Sequence, residues 1–272
     1  MAWIVDQYSK YHGWTPSVVT GKPIELGGSE GREQATGQGL FFVTEAVLTD
    51  LKMDIKKTTF AIQGFGNVGS WAARFIHGAG GKVVAIADVT GAVYNKNGID
   101  VDALWHHCRE TGTLHGFDGA EPMDGKNIFS VDCDVIVPAA LGNVITKDNM
   151  QDIKAKVIVE GANGPTTPEA DEYLTKKGVT IIPDIFANSG GVVVSYFEWV
   201  QNIQQFRWRL DRVNQELKSL LLDSYNEIKG ISKTSECDMR TSAFQLAISR
   251  VARTTALRGL ENENFCMISA PH

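Results

Sequence analysis

Apolar and polar positions along this chain follow two alternating periods. Residues 1–12 and about 34–52 carry apolar side chains at helical spacing, with Leu40, Val43, Val47 and Leu51 on one face of the second stretch. The pattern then shortens. Thr58–Gln63, Lys82–Ala87, Asp134–Pro138, Lys156–Glu160 and Val179–Pro183 are β-branched runs, each followed by a turn or a helical stretch. Nearly continuous apolar strands in that setting belong to a parallel sheet covered on both faces, so the expected fold class is α/β with a doubly wound sheet. Between the second and third runs, GAVYNKNGID predicts a small hairpin turning at Asn97-Gly98, then a helix from about Val101. Thr167 is expected to cap a further helix, with Pro168 at its first position and Gly178 as its stop. Beyond Asn188 three helical stretches follow, near 191–204, 207–230 and 239–258, and residues 260–272 lack a period and read as a loose tail.

Composition narrows the function classes. Of 272 residues, 43% are hydrophobic and 21% charged, which suits a sizeable core and excludes disordered, collagenous and coiled-coil chains. Lys and Arg number 26 against 32 Asp and Glu, a net charge of −6 without a long basic run, so nucleic acid and anionic membrane are not expected partners. No window reaches the roughly 18 apolar residues of a membrane span, and the opening MAWIVDQYSKYHGW lacks the basic region and apolar core of a secretory signal. The cysteines Cys108, Cys133, Cys237 and Cys266 form no CxxC pair and fit a reducing compartment.

The sharpest motif is Gly64-Phe65-Gly66-Asn67-Val68-Gly69, set between the first strand and a helical stretch over Ser70–His77. Gly64 permits a tight turn, Gly66 lets backbone N–H groups approach a pyrophosphate, and Gly69 lets the helix pack closely on the strand. The helix N-terminus adds the positive end of its dipole. At the end of the second strand, Asp88 is placed to accept both hydroxyls of an adenosine ribose. The arrangement predicts a Rossmann dinucleotide site, and because the Asp88 carboxylate repels a 2′-phosphate, the expected cofactor is NAD. The bland alternative is a tight βα turn with Asp88 capping a loop.

The runs GGSEGREQATGQG (27–39), QGFGNVGSWAA (63–73), EGANGPTTPEAD (160–171) and NSGGVVVSYFEWVQN (188–202), in that order, resemble the glutamate dehydrogenases. The likeness covers about residues 1–259, and it implies oxidative deamination of L-glutamate to 2-oxoglutarate and ammonia, with hydride passed to NAD. By position it implies cofactor contacts for Arg32 and Thr36, a pyrophosphate turn at Gly66, Asn67 and Val68, and a ribose acid at Asp88. It further implies that Ala139 and Asn163 line the nicotinamide ribose, with Asn188 near the carboxamide. Thr20, Val192 and Ser195 match residues that face the amino acid, and the Ser195 hydroxyl favours glutamate over the apolar substrates of leucine, valine and phenylalanine dehydrogenases. A helix serine can instead bond back to its own turn; the neighbouring Gly190-Gly191, which would let a ligand approach the backbone, supports the substrate reading.

Deamination needs a base and a cation near the α-carbon. The family draws these from lysines of an N-terminal substrate domain and from an aspartate just ahead of a connecting helix, and no counterpart stands in this sequence, so no catalytic residue is expected here. Asp184 reads as a loop carboxylate starting a helix, and His106, His107, Cys108 and His115 as a solvated helix end, since neighbouring helical residues point about 100° apart. No metal site is expected. Phe197, Trp199, Phe206 and Trp208 read as core packing or as a surface for the missing domain, and Arg207, Arg209, Arg212, Arg240, Arg250, Arg253 and Arg258 as solvated faces. The expected organisation is a connecting helix over 1–14, an NAD-binding domain over 15–190, completing helices over 191–259 and the tail. Alternatives are a non-catalytic NAD-binding module that docks on full-length relatives, or a leucine, phenylalanine or valine dehydrogenase-like fragment. A homo-oligomer or association with full-length subunits, in cytoplasm or mitochondrial matrix, completes the expectation.

Overall fold

A computed structural model of the chain describes residues 1–259; the expected tail over 260–272 lies outside the described residues. An opening helix α1 (Ala2–His12) and a long α2 (Ala35–Asp50) precede the first strand, β1 (Thr59–Gln63). The glycine turn leads into α3 (Asn67–Gly78), then β2 (Lys82–Asp88), β3 (Gly91–Tyr94), α4 (Val101–Thr111) and a short β4 (Glu121–Met123). Three more strands follow, β5 (Val135–Pro138), β6 (Val157–Val159) and, after α5 (Pro168–Lys176), β7 (Thr180–Ile182). The chain then turns helical through α6 (Asp184–Ala187), α7 (Gly190–Gln204), α8 (Leu210–Ser235) and α9 (Met239–Leu257).

The seven strands form one sheet in the order β4-β3-β2-β1-β5-β6-β7. All pairs from β2 to β7 are parallel, and β3 and β4 add an antiparallel edge. Side chains alternate between two cores, as a sheet covered on both faces requires. Phe60, Ile62, Val135, Val137, Val157 and Val159 enter one core, with α2, α3 and α8, while Ala61, Ile136 and Ile158 enter the other, with Leu174 of α5. The alternation slips once: Phe60 pairs with Val83 and Ala61 with Ala85, so Val84 is the extra residue of a bulge in β2. Along α8, Val213, Leu217, Leu221, Tyr225 and Ile228 are buried at helical spacing against the rest of the first core.

Three expectations are corrected. The hairpin turns at Val89 and Thr90, where Asp88 pairs with Gly91, and not at Asn97-Gly98, which only bends the chain after β3. Short-range turn chemistry favoured Asn-Gly, but the Asp88 carboxylate bonds the Thr90 amide and hydroxyl and fixes the earlier turn. Thr167 stands at the N-cap of α5 without a side-chain cap bond, and its buried hydroxyl finds no partner. Finally, the second C-terminal helix starts at Leu210 and runs through exposed Gly230 to Ser235. The roughly 1 kcal/mol cost of an exposed helix glycine is small beside the packing of α8 on its neighbours.

One polar tie joins three strands at their N-terminal ends. Asp134, just before β5, accepts from the Thr59 amide (3.1 Å) and hydroxyl (3.0 Å) and from Lys156 (3.0 Å). Partial burial alone would raise its pKa, but these hydrogen bonds outweigh burial and hold the carboxyl below the usual carboxylate range. A depressed folded-state pKa contributes stability that is present above the unfolded value and lost as the pH falls through the folded one. Asp134→Ala is therefore expected to cost about 1–3 kcal/mol near neutrality, with the gap to the wild type in urea titrations shrinking in acid. A gap independent of pH would contradict this role.

Candidate functional site

The C-terminal ends of the parallel strands form one continuous crest, where ligands of open α/β sheets bind. Backbone bonds stitch it together: the Gly64 amide donates to Ala87 O (2.6 Å), Ala139 to Gln63 O (2.7 Å) and Gly161 to Pro138 O (2.9 Å). The strand order reverses direction at β1, with β2 on one side and β5 on the other, so the glycine turn sits at the switch point.

The three glycines of the turn have separate physical reasons. Gly64 takes φ +103°, and a Cβ there would lie 2.8 Å from the Ala139 carbonyl; at Gly69 a Cβ would lie 1.9 Å from the Gly64 oxygen. At Gly66 a Cβ would meet nothing within 4 Å. The space beside Gly66 is open, and the amides of Asn67, Val68 and Gly69, in the first turn of α3, donate to no group among the described residues. Asn67 turns its side chain to Glu33 O (3.0 Å) and ties the turn to the segment before α2.

At the end of β2, Asp88 Oδ1 accepts from Thr90 N (2.7 Å) and Thr90 Oγ1 (2.6 Å), while Oδ2 has no partner among the described residues. Thr90 Oγ1 in turn accepts from Leu114 N (3.0 Å), so the loop after α4 orients the carboxylate. Burial, with the neighbouring Asp88 charge, pushes the Cys108 thiol up to about 11. Near it His107 Nε2 lies 2.9 Å from His115 O, His106 stands edge-on to Trp105, and a Cβ on Gly91 would meet the His115 ring. Among the described residues no group of three or more His, Cys, Asp or Glu could hold a metal ion.

Farther along the crest, Asn188 Nδ2 donates to Asn163 Oδ1 (2.7 Å) and Gly161 O (3.3 Å), so these two expected site residues meet. A Cβ on Gly161 would lie 2.9 Å from Ala139 Cβ, which puts Ala139 beside them. Arg32 and Ser195 also meet: Arg32 Nε donates to Ser195 Oγ at 2.7 Å. The serine is thus held from outside its own helix. Val192 is 73% exposed one turn earlier. The glycine pair before it has a structural reason distinct from ligand approach: a Cβ on Gly190 would lie 2.4 Å from Ala35 O, and one on Gly191 2.4 Å from Thr36 Oγ1. The pair lets α7 cross α2 closely, with Thr36 against Gly191 and Arg32 bonded to Ser195.

Thr20 makes no side-chain hydrogen bond among the described residues; its neighbours fix it. Glu198 of α7 accepts from Gly21 N (2.9 Å), Lys22 N (3.3 Å) and Lys22 Nζ (2.5 Å), and the lysine also reaches Val19 O (2.6 Å). This fully buried ion pair has no local signature, because its partners lie 176 positions apart. Arg240 corrects another expectation: instead of a solvated face it meets Glu160, Asp171 and Asp184. Burial opposes its charge, but hydrogen bonds and attraction from Glu160 and Asp171 outweigh that and raise its pKa. Asp184 does open α6 as expected, and its carboxylate also caps Gly164 N at 2.6 Å. The aromatic residues divide. Phe197 is buried, whereas Trp199, Tyr196 and Phe206 are exposed, as are Trp3, Tyr11 and Trp14 near α1.

Among the described residues no helix is long and apolar enough to cross a membrane. Comparison with known proteins fits this architecture. The model of the glutamate/leucine/phenylalanine/valine dehydrogenase family matches residues 27–259. A glutamate dehydrogenase of Thermotoga maritima is 48% identical over 262 residues, covering 96% of this chain and 63% of its own length. Among solved structures, the hetero-hexameric glutamate dehydrogenase of Thermus thermophilus superposes with a TM-score of 0.90 at 34% identity, over 96% of this chain and 62% of that one. The glutamate dehydrogenase of Peptoniphilus asaccharolyticus gives 0.84 at 36% identity, over 96% and 62%. The chain thus spans less than two thirds of the length of these relatives, and it belongs to the glutamate/leucine/phenylalanine/valine dehydrogenase family.

Proposed function

We propose that this chain is the dinucleotide-binding portion of a glutamate dehydrogenase and that NAD lies along the crest. One observation carries the reading. Three unpartnered amides at the start of α3 adjoin the open space at Gly66, and an oriented Asp88 carboxylate stands at the next strand end. A pyrophosphate suits such amides at a helix N-terminus, and Asp88 Oδ2 is left to accept ribose hydroxyls. Arg32, Thr36, Ala139, Asn163 and Asn188 then line the nicotinamide end, where the cofactor supplies a hydride acceptor. Because Arg32 donates to Ser195 Oγ, the serine keeps its own O–H to offer a substrate side-chain carboxylate, and Thr20 and Val192 are assigned to the same substrate.

In this reading the base and the cation that deamination requires come from outside these residues. The chain over 15–190 is the NAD-binding unit, α1 the connection, and 191–259 its completing helices. The isolated chain binds cofactor and does not turn glutamate over; robust reduction of NAD with glutamate would overturn that. NAD is expected to bind at least about tenfold more tightly than NADP, a difference of about 1.4 kcal/mol, and Asp88→Ser to narrow the gap. Equal binding of both by the wild type in a calorimetric titration would refute the selectivity.

A second reading rests on the exposed aromatics, with Trp3 at 88%, Trp14 at 64% and Trp199 at 43% accessible. Apolar area of that kind suits docking on a homologous subunit. Co-purification with a full-length relative would support it, and a monodisperse monomer in its presence would count against it.

A further inference from the structure

Arg240, near the start of α9, binds carboxylates from three segments. Its Nη2 donates to Glu160 Oε1 (2.8 Å), Nε to Asp171 Oδ2 (2.7 Å) and Nη1 to Asp184 Oδ1 (3.3 Å). The fully buried Glu160 turns its second oxygen to the Asp184 amide (2.8 Å), and Asp184 turns its own to the Gly164 amide (2.6 Å). At the other end of the same short helix, Asn188 holds Asn163 and Gly161. The helix α6 therefore grips the Gly161–Gly164 turn from both ends, and one grip depends on the guanidinium. The buried Glu160 and the partly exposed Asp171 and Asp184 converge on one cation, and without it their like charges would repel. Without Arg240, Asp184 would turn to solvent and release Gly164, whose φ of +55° the bond helps to hold.

We propose that Arg240 is a positioning residue for the nicotinamide half of the cofactor site: through Asp184 it fixes the turn that carries Asn163. The inference rests on the NAD reading above. It separates the two halves of the site, because the adenosine half rests on Gly64–Gly69 and Asp88, none of which bonds to Arg240 or its carboxylates.

ADP-ribose carries the adenosine half and lacks nicotinamide, so comparing it with NAD isolates the effect. Arg240→Lys keeps the charge but loses the planar fork; Asp184→Asn keeps the shape and loses the carboxylate. Each variant is expected to weaken NAD binding about tenfold while ADP-ribose stays within about twofold, and the fluorescence enhancement of bound NADH should fall with it. Equal losses for both ligands, or no loss, in these variants would overturn the inference alone. A wild-type chain that binds neither ligand would overturn the NAD reading and this inference with it. Where Arg240→Lys does not fold, Asp184→Asn decides.

Discussion

Replacing Lys22 by methionine is expected to cost about 3–5 kcal/mol of stability, because it strands a buried carboxylate. The side chains of Lys22 and Glu198 are 0% and 1% exposed, and no other cation reaches Glu198 among the described residues. Methionine matches the aliphatic stem, so the lost term is electrostatic. Glu198 would still accept from the Gly21 and Lys22 amides, which cannot neutralise it. Changing both members, Lys22→Met with Glu198→Met, should cost less than the sum of the single changes, leaving mainly the unmet amides at about 1–3 kcal/mol each. A double-mutant cycle in urea reads the coupling directly. A single-variant loss under about 1 kcal/mol would mean that water reaches the pair and that Glu198 is not stranded. The functional consequence follows from position: the pair pins Thr20 against α7 three residues after Ser195, so the variant should also loosen that end of the crest.

The second large effect contrasts two glycines three residues apart in one turn. Gly69→Ala would place its Cβ 1.9 Å from the Gly64 oxygen and 2.8 Å from the Gly64 carbon, so backbone must move. Overpacking of this kind costs about 1–3 kcal/mol or more, and the displaced turn should lose NAD binding as well. Gly66→Ala meets nothing within 4 Å, and its φ of −76° suits any residue. Its melting temperature should match the wild type, while NAD binding falls at least about tenfold as the methyl fills the space a pyrophosphate needs. Thermal melts and NAD titrations on the two variants separate the roles. Unchanged NAD affinity in Gly66→Ala would sink the cofactor placement even if the fold survives.

The legibility of this protein tracks the distance over which its causes act. Gly64, Gly66, Gly69 and Asp88 stand in one strand-turn-helix-strand unit, so their spacing carried the motif. Thr90 was within reach too, since an aspartate two residues ahead of a threonine is the signature of an Asx turn, and that turn overrode the Asn97-Gly98 hairpin. The Gly190-Gly191 pair was visible but its reason was not: the clash it relieves is with Ala35 and Thr36, on another helix. Lys22 with Glu198, and Arg240 with Glu160, Asp171 and Asp184, are likewise invisible along the chain, because their partners come from elements far apart in sequence.

By itself, then, the sequence determined the parallel sheet, the glycine turn and the carboxylate at the next strand end, because periodicity and local backbone sterics act over a few residues. Which charges lie buried, which helices cross closely enough to bring Arg32 to Ser195, and what holds the Gly161–Gly164 turn were decided only by the tertiary structure. Those are consequences of desolvation and close packing, and both exist only once distant segments exclude water from one another.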